Sequence, residues 1–254
     1  MSGEQLLRNK PLFGARLNVA HSLAKGMVGC WLFNEQMGLR LQDSSLYSNH
    51  GRLSGFPSGA DRPHQGLIFD GVNSQVIMEE EEKGELNFER TDPFSIFLGL
   101  KPSQVGLTTD VLCRMLASGT FRGWAVKQVS SGELKVVLAS DQDVAALYIE
   151  VSSSTIFFAV DTWVTVLLTY TGSSVASGIA LFKNGVSEAF TTARDTLSAT
   201  MQQSTRAVRF GIYISDRFAG EIAVGYIWNR ALNARDAKAL DANPYAPMGQ
   251  NLFM

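Results

Sequence analysis

The stretch FAGEIAVGYIWNRALNARDAKAL, residues 218–240, decides the fold class, because it joins the last strand of the chain to its one well-formed helix. IAVGYIWNR, 222–230, is a nearly continuous apolar run with the length of a strand. NARDAKALDAN, 233–243, begins with the capping residue Asn233 and has Asp236 three positions on, as a helix start requires. The following NPY ends this helix, since a residue before proline avoids the helical region. We therefore expect a terminal strand and then a short helix.

Upstream of this stretch, short apolar segments alternate with glycine-rich turns. FSIFLGLKP, 94–102, has apolar residues at every second position, which predicts a strand. WAVKQVSSGELKVVL predicts a hairpin, and the Asn184–Gly185 pair predicts another. Strands are predicted in MVGCWLF, GRLSG, GLIFDG, SQVIM, FSIFLGLKP, VLCRMLAS, WAVKQV, LKVVLAS, ALYIEV, TIFFAV, TWVTVLLTYT, IALFKNGVSEAF, RAVRFGIYIS and IAVGYIWNR. About a dozen strands and one late helix predict an all-β sandwich or jelly roll.

Composition and charge exclude several classes of protein. The chain has 254 residues, of which 45% are hydrophobic and 18% charged, with a net charge of −2. Without a basic stripe we expect no nucleic-acid partner. Without a run of about 18 apolar residues we expect no membrane span. The N-terminus has no apolar signal region, so we expect a protein made in the cytoplasm without a signal peptide. Cys30 and Cys113 lie in apolar runs and are predicted to be buried free thiols.

Four stretches, taken in order, resemble the laminin G-like branch of the concanavalin A-like jelly rolls. They are GMVGCWLFNEQMGLRLQDSSLYSNHGRLSG, GLIFDGVNSQVIM, DTWVTVLLTYTGSS with IALFKNGV, and FAGEIAVGYIWNRALNARDAKAL. They cover about 26–243. The resemblance implies a concanavalin A-like (laminin G-like) jelly-roll domain over 26–243 with one short C-terminal helix, preceded by an N-terminal arm (1–25) and followed by a tail (244–254).

A narrower resemblance lies at the two ends of this domain. LNVAHSLAKGMVGCWLFNE and ALDANPYAPM are similar to the forms that this domain takes in virion proteins of tailed phages and prophages. The resemblance implies a virion surface protein that contacts the major capsid protein or other virion proteins and can form homo-oligomers. The arm and the apolar tail, with Leu252, Phe253 and Met254, are expected to order on such a partner.

The turn FDGVNSQVIM, 69–78, has two interpretations. Asp70 and Asn73, with Asp43 from the turn DSSLYSNHG, could supply oxygen ligands to Ca²⁺. The same residues could instead shape turns through bonds from side chain to backbone, which is the favoured interpretation. Several acids of the family's calcium site are replaced here, by Ser74, Ala223 and Thr171 among others. We therefore expect no obligatory cofactor, with calcium as the alternative.

Trp124 and Arg122 are the candidate ligand contacts. Trp31, Trp163 and Trp228 lie inside strands that resemble the family's core strands, whereas Trp124 begins a strand directly after a turn and next to Arg122. Retaining glycoside hydrolysis needs two carboxylates about 5 Å apart. The chain has no E-x-D-x-E string that would place them on one strand, so we expect no enzyme.

The sequence thus predicts a non-enzymatic bacteriophage virion structural protein, a capsid decoration protein that displays a lectin-like jelly roll. The alternative is a carbohydrate-binding host-adhesion module that recognises host-surface glycans in many copies. A glycan hydrolase of this fold is the least favoured hypothesis.

Overall fold

The computed structural model of the protein describes residues 10–35, 37–56, 66–78 and 84–249, which form two β-sheets packed face to face. The strands are β1 Met27–Trp31, β2 Arg40–Leu41, β3 Gly51–Ser54, β4 Leu67–Asp70, β5 Gln75–Met78, β6 Phe94–Pro102, β7 Thr109–Met115, β8 Gly123–Gln128, β9 Leu134–Asp141, β10 Leu147–Ser153, β11 Val164–Tyr170, β12 Ile179–Lys183, β13 Val186–Glu188, β14 Phe190–Asp195, β15 Arg209–Phe210, β16 Ile212–Tyr213, β17 Asp216–Arg217 and β18 Ala219–Trp228. The helix α1 spans Ala234–Ala242.

The smaller sheet has seven strands in the order β1-β18-β6-β11-β12-β13, with β4 also paired to β18. β4 pairs with the first half of β18 and β1 with its second half, because Asp70 lies opposite Ala219 and Trp31 opposite Gly225. The larger sheet has eleven strands. Nine of them follow the order β14-β10-β9-β8-β7-β15-β5-β3-β2, and the hairpin β16–β17 attaches to β7.

The main core lies between the two sheets. On β6, Phe94, Ile96, Leu98 and Leu100 belong to this core, whereas Phe97 faces the other side. Alternation of this kind is what a period-two apolar pattern produces when a strand has both faces buried. The two packed sheets confirm the predicted all-β sandwich.

A second apolar cluster covers the outer face of the smaller sheet. It contains Tyr226 and Trp228 of β18, Leu240 of α1, Leu23 of the arm and Met248 of the C-terminal segment. The described part of the arm, 10–25, and residues 244–249 therefore pack on the sandwich. These flanking segments, which lie outside 26–243, bury the outer surface of β18.

Most predicted elements are confirmed, including the hairpin β12–β13, in which Asn184 and Gly185 both have positive φ. TIFFAV, 155–160, is not a strand. Its adjacent residues Phe157 and Phe158 both enter the core, and their amides both donate to the Gly132 carbonyl oxygen. The acidic run at 79–83 and the tail residues 250–254 lie outside the described residues.

Among the described residues, no helix has the length and apolar character needed to span a bilayer. Cys30 and Cys113 are free and buried, as predicted.

Candidate functional site

Asp43 is buried and closes the loop 43–49 with both of its carboxylate oxygens. Oδ1 accepts from the amides of Cys30 and Ser45, both at 2.8 Å. Oδ2 accepts from the Ser45 hydroxyl at 2.6 Å and the Asn49 amide at 2.7 Å. Desolvation by burial raises the pKa of Asp43, against the opposing effect of these hydrogen bonds. The carboxylate therefore holds the loop in shape.

Asn49 anchors the other end of this loop to the core. Its side-chain amide donates to the Val28 carbonyl oxygen at 2.7 Å, and its own carbonyl oxygen accepts from the Trp31 indole at 2.8 Å. The turn DSSLYSNHG is thus tied to β1 at both ends, and Leu46, Tyr47 and Ser48 in its middle are exposed.

Asp70 shapes its own turn in the same way. Oδ1 accepts from the amides of Val72, Asn73 and Ser74 at 2.9, 2.7 and 2.8 Å. Partial desolvation would raise the pKa of Asp70, but these hydrogen bonds outweigh it and lower that pKa to about 2. Asn73 is exposed on the same turn.

The structure does not bring the predicted calcium ligands together. Asp43 is bridged to Trp31, which lies opposite Gly225, whereas Asp70 lies opposite Ala219 on the same strand. Gly225 and Ala219 are six residues apart on β18, which corresponds to about 20 Å along the strand. No group of three or more His, Cys, Asp or Glu residues within the described ranges could hold a metal ion. The calcium set Asp43, Asp70 and Asn73 is therefore corrected to two separate structural turns.

Trp124 is also corrected. Its side chain is 1% exposed, its indole donates to the Leu86 carbonyl oxygen at 3.2 Å, and its ring packs beside Phe88 and Phe94. The alternation of β8 turns it inward, so it cannot contact an external ligand in this conformation. Arg122 is half-buried and donates from Nε to the Ser140 carbonyl oxygen at 3.1 Å, which ties the start of β8 to β9.

A groove of about 470 Å³ runs between the arm and the Asp43 loop. We call it the arm groove. Its lining residues are Phe13, Gly14, Ala15, Arg16, Leu17, Gln42, Asp43, Ser44, Ser45, Leu46 and Ser48. This volume lies within the range of small-ligand sites.

Hydrogen bonds to the C-terminal segment hold the arm wall of the groove in place. The Asn18 amide donates to the Pro247 carbonyl oxygen, and the Gly249 amide donates to that of Arg16, both at 2.8 Å. Leu17 and Met248 form a β-bridge between the two segments. The wall is thus a short backbone ladder rather than a loose end.

The groove combines apolar and polar surface. Phe13 is 62% exposed and Leu46 is 76% exposed on opposite walls. Hydroxyl groups of Ser44 and Ser48 and the exposed Arg16 provide polar contacts, whereas the Ser45 hydroxyl is bonded to Asp43. The buried Asp43 carboxylate supports the floor but its oxygens are taken up by the four bonds described above.

Sequence reasoning missed the arm groove because its walls come from two segments assigned to other roles. The sequence predicts that the arm contacts a partner, and that DSSLYSNHG forms a structural turn or supplies Asp43 to a cation. The available signals were the apolar pair Leu46–Tyr47 inside a serine-rich turn and the apolar piece PLF, 11–13, in the arm. Neither signal shows that the two segments lie side by side.

Comparison with known proteins finds no protein family and no curated protein that matches the sequence. Solved structures do match. The binding domain of botulinum neurotoxin DC, solved in complex with SialylT, has a TM-score of 0.63 at 16% identity, over 87% of this chain and 52% of that chain. The binding domain of Paraclostridial Mosquitocidal Protein 1 has a TM-score of 0.63 at 16% identity, over 88% and 53% of the two chains.

A mutant of Trypanosoma rangeli sialidase that displays trans-sialidase activity has a TM-score of 0.62 at 13% identity, over 92% of this chain and 36% of that chain. This chain spans about half the length of these two binding domains. At such low identity the likeness shows the β-sandwich fold alone.

Proposed function

We propose that this protein is a non-enzymatic binding module that takes a cell-surface carbohydrate in the arm groove. The observation that carries the proposal is the groove itself, in which exposed Phe13 and Leu46 face serine hydroxyls and Arg16 across about 470 Å³. Predominantly apolar concave surface with a few placed polar groups is typical of ligand sites.

The chemistry of this groove suits a sugar ring. A pyranose presents a face of C–H groups that packs on an aromatic or aliphatic side chain, and a rim of hydroxyls that exchange hydrogen bonds with polar groups. Phe13 and Leu46 offer the apolar contact, while Ser44 and Ser48 offer donors and acceptors. Arg16 adds a planar donor for ring or carboxylate oxygens.

The names of the structural neighbours support a binding function more than they support a capsid role. One neighbour is a toxin binding domain in complex with SialylT, and another is named as a binding domain. The virion location predicted from the sequence stays a prediction. The two roles are compatible, because a module displayed on a particle can also bind glycans.

The test is binding of the purified protein to a glycan array, followed by titration calorimetry with the glycan that binds. Phe13→Ala should weaken that binding roughly five- to tenfold, because loss of an aromatic contact of about 1–1.5 kcal/mol corresponds to that factor. Leu46→Ala should weaken it as well. Leu107→Ala is the matched control, since Leu107 is 56% exposed and does not line the groove.

Affinity for the glycan should be the same with calcium and with a chelator, because the carboxylates of Asp43 and Asp70 stabilise two separate turns. No binding on the array, or binding that Phe13→Ala and Leu46→Ala leave unchanged, would reject the arm groove as a carbohydrate site.

A further inference from the structure

Lys10, the first described residue of the arm, lies in a buried cluster of polar and charged groups that the sequence does not reveal. The Lys10 ammonium nitrogen donates to the Ala223 carbonyl oxygen at 2.9 Å and to the Phe33 carbonyl oxygen at 3.2 Å. The carboxylates of Glu35 and Glu221 act on it electrostatically, and both residues are buried. Lys101 pairs with Glu221 at 3.2 Å.

This cluster is connected to segments on both sides of the arm groove. Lys10 lies three residues before Phe13, and the intervening Pro11 carbonyl oxygen accepts from the Asn34 side chain at 2.8 Å. Glu35 Oε1 accepts from the amide of Gln42 at 2.7 Å, and Gln42 lines the groove next to Asp43. One buried cluster therefore holds the arm against β18 and also holds the start of the Asp43 loop.

We propose that Lys10 and Glu35 are the positioning residues of the arm groove, and that Lys10 acts as a proton-linked anchor for the arm. The proposal rests on the proposed function for its ligand but not for the anchor itself. Among the described residues, the charged groups that face Lys10 are Glu35 from the segment after β1 and Glu221 from β18, with Lys101 of β6 behind Glu221.

Burial acts against the charged form of Lys10. Its Nζ can donate to the carbonyl oxygens of Phe33 and Ala223 in either protonation state, because a neutral amine also carries N–H groups. Desolvation lowers the pKa of Lys10 to about 7, although the charges of Glu35 and Glu221 oppose this shift. When the arm opens, Lys10 meets water and its pKa returns to its ordinary value of 10.5.

The sign of the linkage follows from these two states. Between pH 7 and 10.5 the open arm binds one more proton than the docked arm, so docking strengthens as the pH rises. Below pH 7 Lys10 is protonated in both states, so the docking constant no longer changes with pH. The docking constant should rise about fivefold from pH 7 to 8 and nearly tenfold from pH 8 to 9.

Amide hydrogen exchange on the full chain measures this constant. The reporters are the amides of Asn18 and Gly249, which bond across the arm ladder, and the control is the Gln142 amide, which bonds to the Thr120 carbonyl oxygen. After correction for intrinsic exchange, protection of the two reporters should rise with pH as above, while that of the control stays flat. A flat profile at the reporters would overturn the anchor.

Two variants separate proton linkage from simple packing. Lys10→Met keeps an unbranched side chain without a titrating group, so the pH slope at Asn18 and Gly249 should disappear even if the arm is looser. Glu35→Gln removes a charge that raises the pKa of Lys10, so the rise should begin at a lower pH. A slope that persists in Lys10→Met would show that another group is responsible.

Glycan affinity distinguishes this proposal from the proposed function. Lys10→Met should weaken glycan binding, because the competent arm wall is then present for a smaller fraction of the time. Unchanged affinity in Lys10→Met would refute the positioning role. A pH slope in exchange without any glycan binding would reject the proposed function and leave the anchor intact.

Discussion

At the scale of single residues, Asp43 is the group whose loss should cost most, because its carboxylate is 2% exposed and accepts four hydrogen bonds. Asp43→Asn replaces an acceptor oxygen with a donor that faces other donors. We expect the free energy of unfolding to fall by about 2–4 kcal/mol. Urea unfolding measures it, with the exposed Asp143→Asn as control. A loss no larger than that of the control would contradict the assigned role.

Asp70 should make stability depend on pH at the acidic end. Its folded pKa of about 2 lies below the ordinary value of 3.8, so its contribution is present above pH 4 and is lost as the pH falls towards 2. Because Asp70 is exposed, this contribution should stay below about 1 kcal/mol. Urea unfolding of wild type and Asp70→Asn should differ at pH 7 and converge at pH 2. An equal difference at both pH values would contradict the linkage.

The residue types of both turns were predictable, but their grouping was not. Asp, Asn and Gly in FDGVN and DSSLYSNHG indicate either turns or oxygen ligands, since the same short polar side chains serve both purposes. The choice depends on a distance of about 20 Å that is set by where β4 and β1 pair along β18. The burial of Lys10 was not predictable, because it is produced by residues far away in the sequence.

At the scale of elements, α1 shows a capping box that was predicted from Asn233 and Asp236. The Asn233 side-chain oxygen accepts from the amides of Arg235 and Asp236, and Asp236 accepts in return from the Asn233 amide. Asn233→Ala should lower the free energy of unfolding by about 1 kcal/mol. Lys238→Ala, on the exposed face, is the matched control. Equal stability of the two variants would mean that the cap contributes nothing.

Strands were predictable where alternation and burial agree. β6 and β18 have long apolar patterns and appear as expected, whereas β14, FTTARD, was missed because its six residues are exposed or half-buried at the end of the larger sheet. The strand predicted at TIFFAV was wrong for the opposite reason. Its apolar content reflects core packing of Phe157 and Phe158, and apolar content without alternation does not distinguish a strand from a buried connection.

At the scale of the whole molecule, the order of the strands could not be derived from the chain. β18 is the last strand in sequence yet lies between β1, near the start, and β6. Pairings of such long separation leave no local pattern. For the same reason, nothing in residues 10–25 or 244–249 shows that they cover the outer face of β18, where their short apolar pieces complete the second cluster.

This covering layer makes the arm part of the folded unit, which a pair of deletions can test. Removing residues 1–24 takes away the buried Leu23 and leaves the Trp228 indole without the Leu23 carbonyl oxygen, to which it donates at 2.6 Å. Burial of one leucine contributes about 2 kcal/mol, and an orphaned buried donor costs about 1–3 kcal/mol. Urea unfolding should therefore show a loss of roughly 3–5 kcal/mol, with the deletion of residues 1–9 as control. If the chain without residues 1–24 were as stable as that control, the arm would be a detachable segment, as the sequence alone predicts. The arm wall of the groove would then not be a fixed part of the fold.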